Sequence, residues 1–311
     1  MMTTKIKVAN APCSWGTLEF EGMQGERIAY TQMLNELVET GYTATELGDW
    51  GFMPTNPAVL KDELEQRNLV MLGAYHGVAF KYPEKHAEGE EKALKIARLL
   101  AAVADDVWSP YLVLADDNGT DPLRTKHAGQ VTPAIALGVA GWSAFAQGIE
   151  RIAKTVLAET GLRTVFHPHC AGFIETPNEI QRLLDLTDPE LVGLVFDTGH
   201  YAFGAGATDP GEVLDGLERF ADRIWYIHFK DCSLEIAQRS RAEKWDYFKT
   251  LQHAIFCELG QGFIDFPGVV DWMQQHGYEG WITVEQDVLP GMGDPKESAQ
   301  RNRDYLASIG L

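Results

Sequence analysis

No apolar run in this chain approaches the ~20 residues that a membrane-spanning helix needs, so no segment is expected to cross a bilayer. The opening residues, Met1-Met2-Thr3-Thr4-Lys5-Ile6-Lys7-Val8, lack the apolar stretch of a secretory signal. Cysteine is scarce: Cys13, Cys170, Cys232 and Cys257 are the only four in 311 residues, widely scattered and without a CxxC pair. That pattern excludes a zinc ribbon and a disulfide scaffold, and free thiols in a reducing cytoplasm are the expectation. Positive charge is also short, with 26 Lys and Arg against 45 Asp and Glu and a net charge of −19. Such a chain repels nucleic acid and anionic membrane surfaces. A glycine-rich dinucleotide fingerprint is missing after the first expected strand. The run Glu258-Leu-Gly-Gln-Gly-Phe-Ile-Asp265 has only two glycines, comes late, and reads as a tight loop. No Gly/Ser-rich or charge-rich linker divides the sequence, so a single domain over residues 1–311 is expected.

What the chain does have is a regular alternation. Short β-rich apolar runs are expected at Lys5–Cys13, Thr43–Leu47, Leu69–Tyr75, Tyr111–Ala115, Arg163–His167, Val192–Phe196, Ile224–Phe229 and Trp281–Glu285. Between and after them lie stretches with helical spacing: Glu26–Glu39, Asn56–Arg67, Lys92–Asp105, Gly141–Thr160, Pro177–Leu186, Pro210–Phe220, Phe266–His276 and Glu297–Ser308. Eight strand-then-helix units fit an α/β fold of one kind, a (β/α)8 TIM barrel of about 250 residues with longer loops.

A barrel places its chemistry at the C-terminal ends of its strands. Ionisable groups gather there: Glu46 after the second strand, His76 after the third, Asp116 and Asp117 after the fourth, and His167-Pro-His169 after the fifth. Asp197-Thr-Gly-His200, His228-Phe-Lys230-Asp231 and Glu285-Gln-Asp287 follow at strands six to eight. Singly, each is an ordinary turn or capping residue. Together, strands five to eight bring His, Asp, His and Glu to one rim, where mutual repulsion and desolvation are relieved by a shared cation. Two imidazoles and two carboxylates suit Mn²⁺ or Co²⁺ best, with Zn²⁺, Fe²⁺ or Mg²⁺ as further options. A six-coordinate ion would keep two positions for the oxygens of a hydroxy-ketone.

The runs Phe196-Asp-Thr-Gly-His200, Ile227-His-Phe-Lys-Asp231, Leu259-Gly-Gln-Gly-Phe-Ile-Asp265 and Gly277-Tyr-Glu-Gly-Trp-Ile-Thr-Val-Glu285 resemble the xylose-isomerase-like TIM-barrel superfamily. With His167-Pro-His169, they most resemble its inosose (2-keto-myo-inositol) dehydratases and rhizopine-catabolism proteins. The resemblance implies a metal held by Asp197, His228 and Glu285, with His167 where the superfamily usually carries Glu; Glu175 is the other candidate for that ligand. It implies substrate contacts for His200 and Lys230. Glu46, His76, His169, His200 and Lys230 are the acid–base candidates, and Lys230 beside Asp231 also reads as an ion pair. Trp15, His169 and Asp116 are candidate substrate contacts. The implied substrate is a small polyhydroxylated carbonyl compound. The implied reaction is proton abstraction α to the carbonyl, then dehydration; epimerisation or isomerisation of a keto-sugar is the alternative. A binding protein without turnover and a subunit of a C-glycoside-cleaving complex are other readings. The charge of −19 disfavours the superfamily's DNA-cleaving member. A homo-oligomer, dimer or tetramer, is expected, with Trp245, Tyr247, Phe248 and Phe256 as aromatics that could cover an edge.

Overall fold

The computed structural model describes residues 6–16, 28–106, 108–289 and 291–311. Its parallel strands are β1 (Ile6–Asn10), β2 (Ala44–Thr45), β3 (Val70–Met71 and Gly73–Val78), β4 (Tyr111–Asp116), β5 (Thr164–Phe166), β6 (Val192–Asp197), β7 (Ile224–Phe229) and β8 (Gly280–Val284). Each pairs with its chain neighbour, and β8 pairs with β1, from Ile6 opposite Gly280 to Asn10 opposite Val284. β3 is interrupted at Leu72, but its two pieces face different neighbours. Leu72 N–H donates to Thr45 O on one side, and Leu72 O accepts from Tyr111 N–H on the other. The interrupted strand therefore closes the barrel.

Side chains alternate between two environments. One set fills the barrel: Ala9, Ala44, Leu72, Val113, Val165, Val195, Tyr226 and Trp281 form a separate interior cluster. The other set, including Val8, Met71, Ala74, Leu112, Leu114, Ile227 and Ile282, packs against the surrounding helices. Along β5, β6 and β7, the inward residue after the apolar layer is His167, Asp197 and His228. Along β8, Thr283 is followed by Glu285. The period-two pattern thus carries each of these four side chains to the same rim.

The outer helices follow local rules. The helix Pro177–Leu186 starts with a capping box between Thr176 and Glu179, has Pro177 in its first turn, and buries Ile180, Leu183 and Leu184. The expected helix at Glu26–Glu39 runs over Tyr30–Glu39, and its first two expected residues lie outside the described residues. Two features depart from the eight-unit expectation. Thr198–Ala205 is a short helix standing directly on Asp197. Between β7 and the next long helix lies an insertion, in which a two-stranded ladder (Asp231–Cys232 with Phe256–Cys257) brackets helices Leu234–Glu243 and Tyr247–Gln252. Trp245, Tyr247 and Phe256 are buried within it, so these aromatics belong to the chain's own core rather than to an exposed edge. No described helix is long and apolar enough to cross a membrane. None of the four cysteines forms a disulfide.

Candidate metal centre

His167, Asp197, His228 and Glu285 each offer a ligand atom, and these atoms lie within 4.8 Å of one another. His167 Nε2 is 3.8 Å from Asp197 Oδ2, and His228 Nδ1 is 3.9 Å from Asp197 Oδ2 and 3.3 Å from Glu285 Oε1. Asp197 divides its two oxygens. Oδ1 caps the short helix above it by accepting from His200 N–H at 2.8 Å. Oδ2 and His228 Nδ1 are buried with no hydrogen-bond partner among the described residues. Unsatisfied buried groups are costly, so two of them pointing into one space fit a bound cation. Gly199 belongs to the same construction: a Cβ there would lie 2.9 Å from Lys230 O, too close for the helix to seat on β7.

The electrostatics fit the same reading. Burial opposes protonation of His228, but the carboxylates of Glu285 and Glu46 outweigh it and push its pKa well up. Burial pushes the Glu285 carboxyl up, but His228 and Lys230 hold it well below the usual carboxylate range.

Glu175 is not part of this cluster. Its Oε1 accepts from Gly129 N–H at 2.6 Å and its Oε2 from Ala171 N–H at 2.9 Å. Burial pushes its carboxyl up to about 7. It holds the turn after His169, where Ala171 has a left-handed φ of 64°. Of the two candidates for the strand-five ligand, His167 stands among the other three.

A solvent-open cavity reaches His167 and Glu285 and is lined by Cys13, Glu46, Tyr75, His169, Lys230 and Asp287, among others. Lys230 Nζ lies 3.3 Å from Glu285 Oε2 and 3.2 Å from Asp287 Oδ1. Burial opposes its charge, but Asp287, Glu285 and Asp197 keep it protonated far above the ordinary range. The expected pairing with Asp231 is absent: Asp231 instead accepts from the backbone N–H groups of Cys232, Gly260, Gly262 and Ile264. His169 donates from Nδ1 to Cys170 O at 2.7 Å, which makes Nε2 its basic nitrogen. Its ring lies 3.8 Å from that of His200. His200 sits behind it rather than on the cavity wall, and burial, then His169 and Lys230, keep it neutral.

Three further expected site residues lie away from the cavity wall. His76 points out of the barrel and donates from Nε2 to Gly89 O on the neighbouring helix at 3.0 Å. Asp116 also faces outward and accepts from Phe173 N–H at 3.0 Å, and burial pushes its carboxyl up to about 6. Trp15 is buried, and its indole N–H donates to Glu36 at 2.8 Å. The sequence reading missed Tyr75, Cys13 and Asp49 on the cavity wall. For Tyr75, the only available cue was the phase of β3, which changes at its interruption.

A family model described as xylose isomerase-like TIM barrel matches residues 34–309. The chain is 31% identical to the inosose dehydratase of Geobacillus kaustophilus (strain HTA426), over 97% of this chain and 94% of that protein. Among solved structures, the probable 3-DHS dehydratase AsbF of Bacillus anthracis matches with a TM-score of 0.70 and 13% identity, covering 97% of this chain and 98% of that one. The IOLI protein with a bound zinc atom matches with a TM-score of 0.68 and 14% identity, covering 98% of each chain. At these identities the two structures bear on the fold alone.

Proposed function

The chain belongs to the xylose isomerase-like TIM-barrel family, and we propose that it is a metal-dependent hydro-lyase that dehydrates 2-keto-myo-inositol. The observation that carries the reading is the cluster of His167, Asp197, His228 and Glu285 beside a cavity that His169 and Lys230 also line. Full-length likeness to a protein named inosose dehydratase supports the substrate class.

Bound by these four residues, a divalent cation, Mn²⁺ or Co²⁺ in this reading, supplies Lewis-acid polarisation of a ketone oxygen. His169, with its Nδ1 proton tied to Cys170 O, takes the proton α to the carbonyl on Nε2. Lys230, kept charged by Asp287 and Glu285, gives a proton to the departing β-hydroxyl. The C–H and C–O bonds break, a carbon–carbon double bond forms, and water leaves. One proton gained by His169 and one lost by Lys230 balance the turnover. His200 backs the His169 ring, and Glu46 lies on the wall beside the ligands. The reading places the enzyme in the cytoplasm as a homo-oligomer.

Proton NMR of 2-keto-myo-inositol in D₂O tests this, using protein stripped of metal and then resupplied with Mn²⁺ or Co²⁺. Metal-dependent appearance of the deoxy-diketone is expected. Deuterium uptake without loss of water would make the protein an epimerase or isomerase. No change in the spectrum would overturn catalysis on this ring.

A further inference from the structure

We infer that Glu46, backed by Tyr226 and Thr283, is a positioning residue that fixes His228 as an Nδ1 ligand. This rests on reading the four-residue cluster as a divalent-cation site. Glu46 Oε1 accepts from Tyr226 O–H at 2.8 Å and from His228 Nε2 at 2.9 Å. A carboxylate only accepts, so both protons are assigned. The single phenolic hydrogen of Tyr226 is then committed to Glu46, and Thr283, whose hydroxyl touches the Tyr226 oxygen, must donate to it. Every hydrogen bond in the chain has one direction: Thr283 to Tyr226 to Glu46, and His228 to Glu46.

The consequence falls on the other ring nitrogen. With Nε2 protonated and held, Nδ1 is the nitrogen of His228 left to a cation. That atom faces Asp197 Oδ2 at 3.9 Å and Glu285 Oε1 at 3.3 Å, and makes a hydrogen bond to neither. A freely rotating imidazole would present either nitrogen and would lose affinity with each wrong choice.

The placement of Tyr226 supports the same conclusion. Tyr226 and Thr283 occupy inward positions at the level of Ala9, Ala44, Leu72, Val113, Val165 and Val195, where apolar side chains fill the barrel. Polar groups buried at that depth cost stability unless they are satisfied. Among the described residues, theirs are satisfied through each other and Glu46. Partners behind a metal-bound histidine orient its ring and raise its basicity.

The test is a Mn²⁺ titration of the full chain, read by the free-ion EPR signal, for wild type, Glu46→Gln and Tyr226→Phe. The melting temperature of each metal-free protein and the visible spectrum of each Co²⁺-loaded protein are recorded alongside. Glu46→Gln is expected to bind Mn²⁺ about 10–100-fold more weakly. It should also shift the Co²⁺ bands at saturation, which a merely structural role would leave in place. Tyr226→Phe should show a smaller loss in the same direction. Glu46→Gln binding as tightly as wild type, with an unmoved Co²⁺ spectrum, would overturn the inference. If wild type takes up no Mn²⁺, the cation site itself fails, and the inference with it. Should Glu46→Gln not fold, Tyr226→Phe decides: unchanged affinity and spectrum overturn the proposal.

Discussion

Asp197 shows how one side chain serves fold and chemistry at once, with one oxygen capping a helix and the other facing the ligand cluster. Asp197→Asn keeps an oxygen for the cap but loses the anionic ligand. It should abolish Mn²⁺ uptake while the metal-free melting temperature stays near wild type, as calorimetry with and without metal would show. Lys230→Met leaves the four proposed ligands in place but removes the proposed proton donor. It should lower kcat about 10²-fold or more while Mn²⁺ still binds; steady-state kinetics at saturating metal would contradict this if kcat held. Asp116 has its folded pKa raised from 3.8 to about 6 by burial. Its neutral form is therefore favoured by folding, giving stability that is full below 3.8 and lost as pH rises through about 6. Asp116→Asn cannot titrate. Its melting temperature should gain on wild type across that window by the equivalent of ~3 kcal/mol, and a pH-independent difference would contradict the assignment. Asp197, His228 and Glu285 were legible in the sequence because they close apolar strands within recognisable runs. His76 and Asp116 misled because only phase separates inward from outward. The alternation in β3 slips at Leu72, so Tyr75 rather than His76 reaches the cavity.

Eight strands and their long helices were readable from periodicity, and Pro177–Leu186 and Ile224–Phe229 agree with expectation at both ends. The helix Thr198–Ala205 was not readable. Its start coincides with Asp197, it is buried on nearly all sides and so lacks a polar face, and Gly199 and Gly204 obscure helical propensity. The insertion after β7 was also missed, because its strands have two residues each. Asp231 organises that region. Its carboxylate gathers four backbone N–H groups, two of them from Gly260 and Gly262 in the loop read from sequence as tight. Asp231→Ala strands all of them, those of Cys232 and Ile264 in a buried setting, and should cost on the order of 3 kcal/mol. Urea unfolding of the metal-free protein measures it; a midpoint equal to wild type would show that water replaces the carboxylate.

Across the whole molecule, the barrel explains why residues far apart in sequence, from Glu46 to Asp287, meet at one rim: parallel strands end on the same side. The ion expected there couples the site to the fold. Mn²⁺ at about 100 times its dissociation constant should stabilise the native state by ~2.7 kcal/mol and raise the melting temperature. Anomalous diffraction at the manganese edge, from a crystal grown with Mn²⁺, tests the cation site itself. One strong peak bonded to His167, Asp197, His228 Nδ1 and Glu285 is expected. A peak held by other residues, or density for water alone among these four, would contradict it.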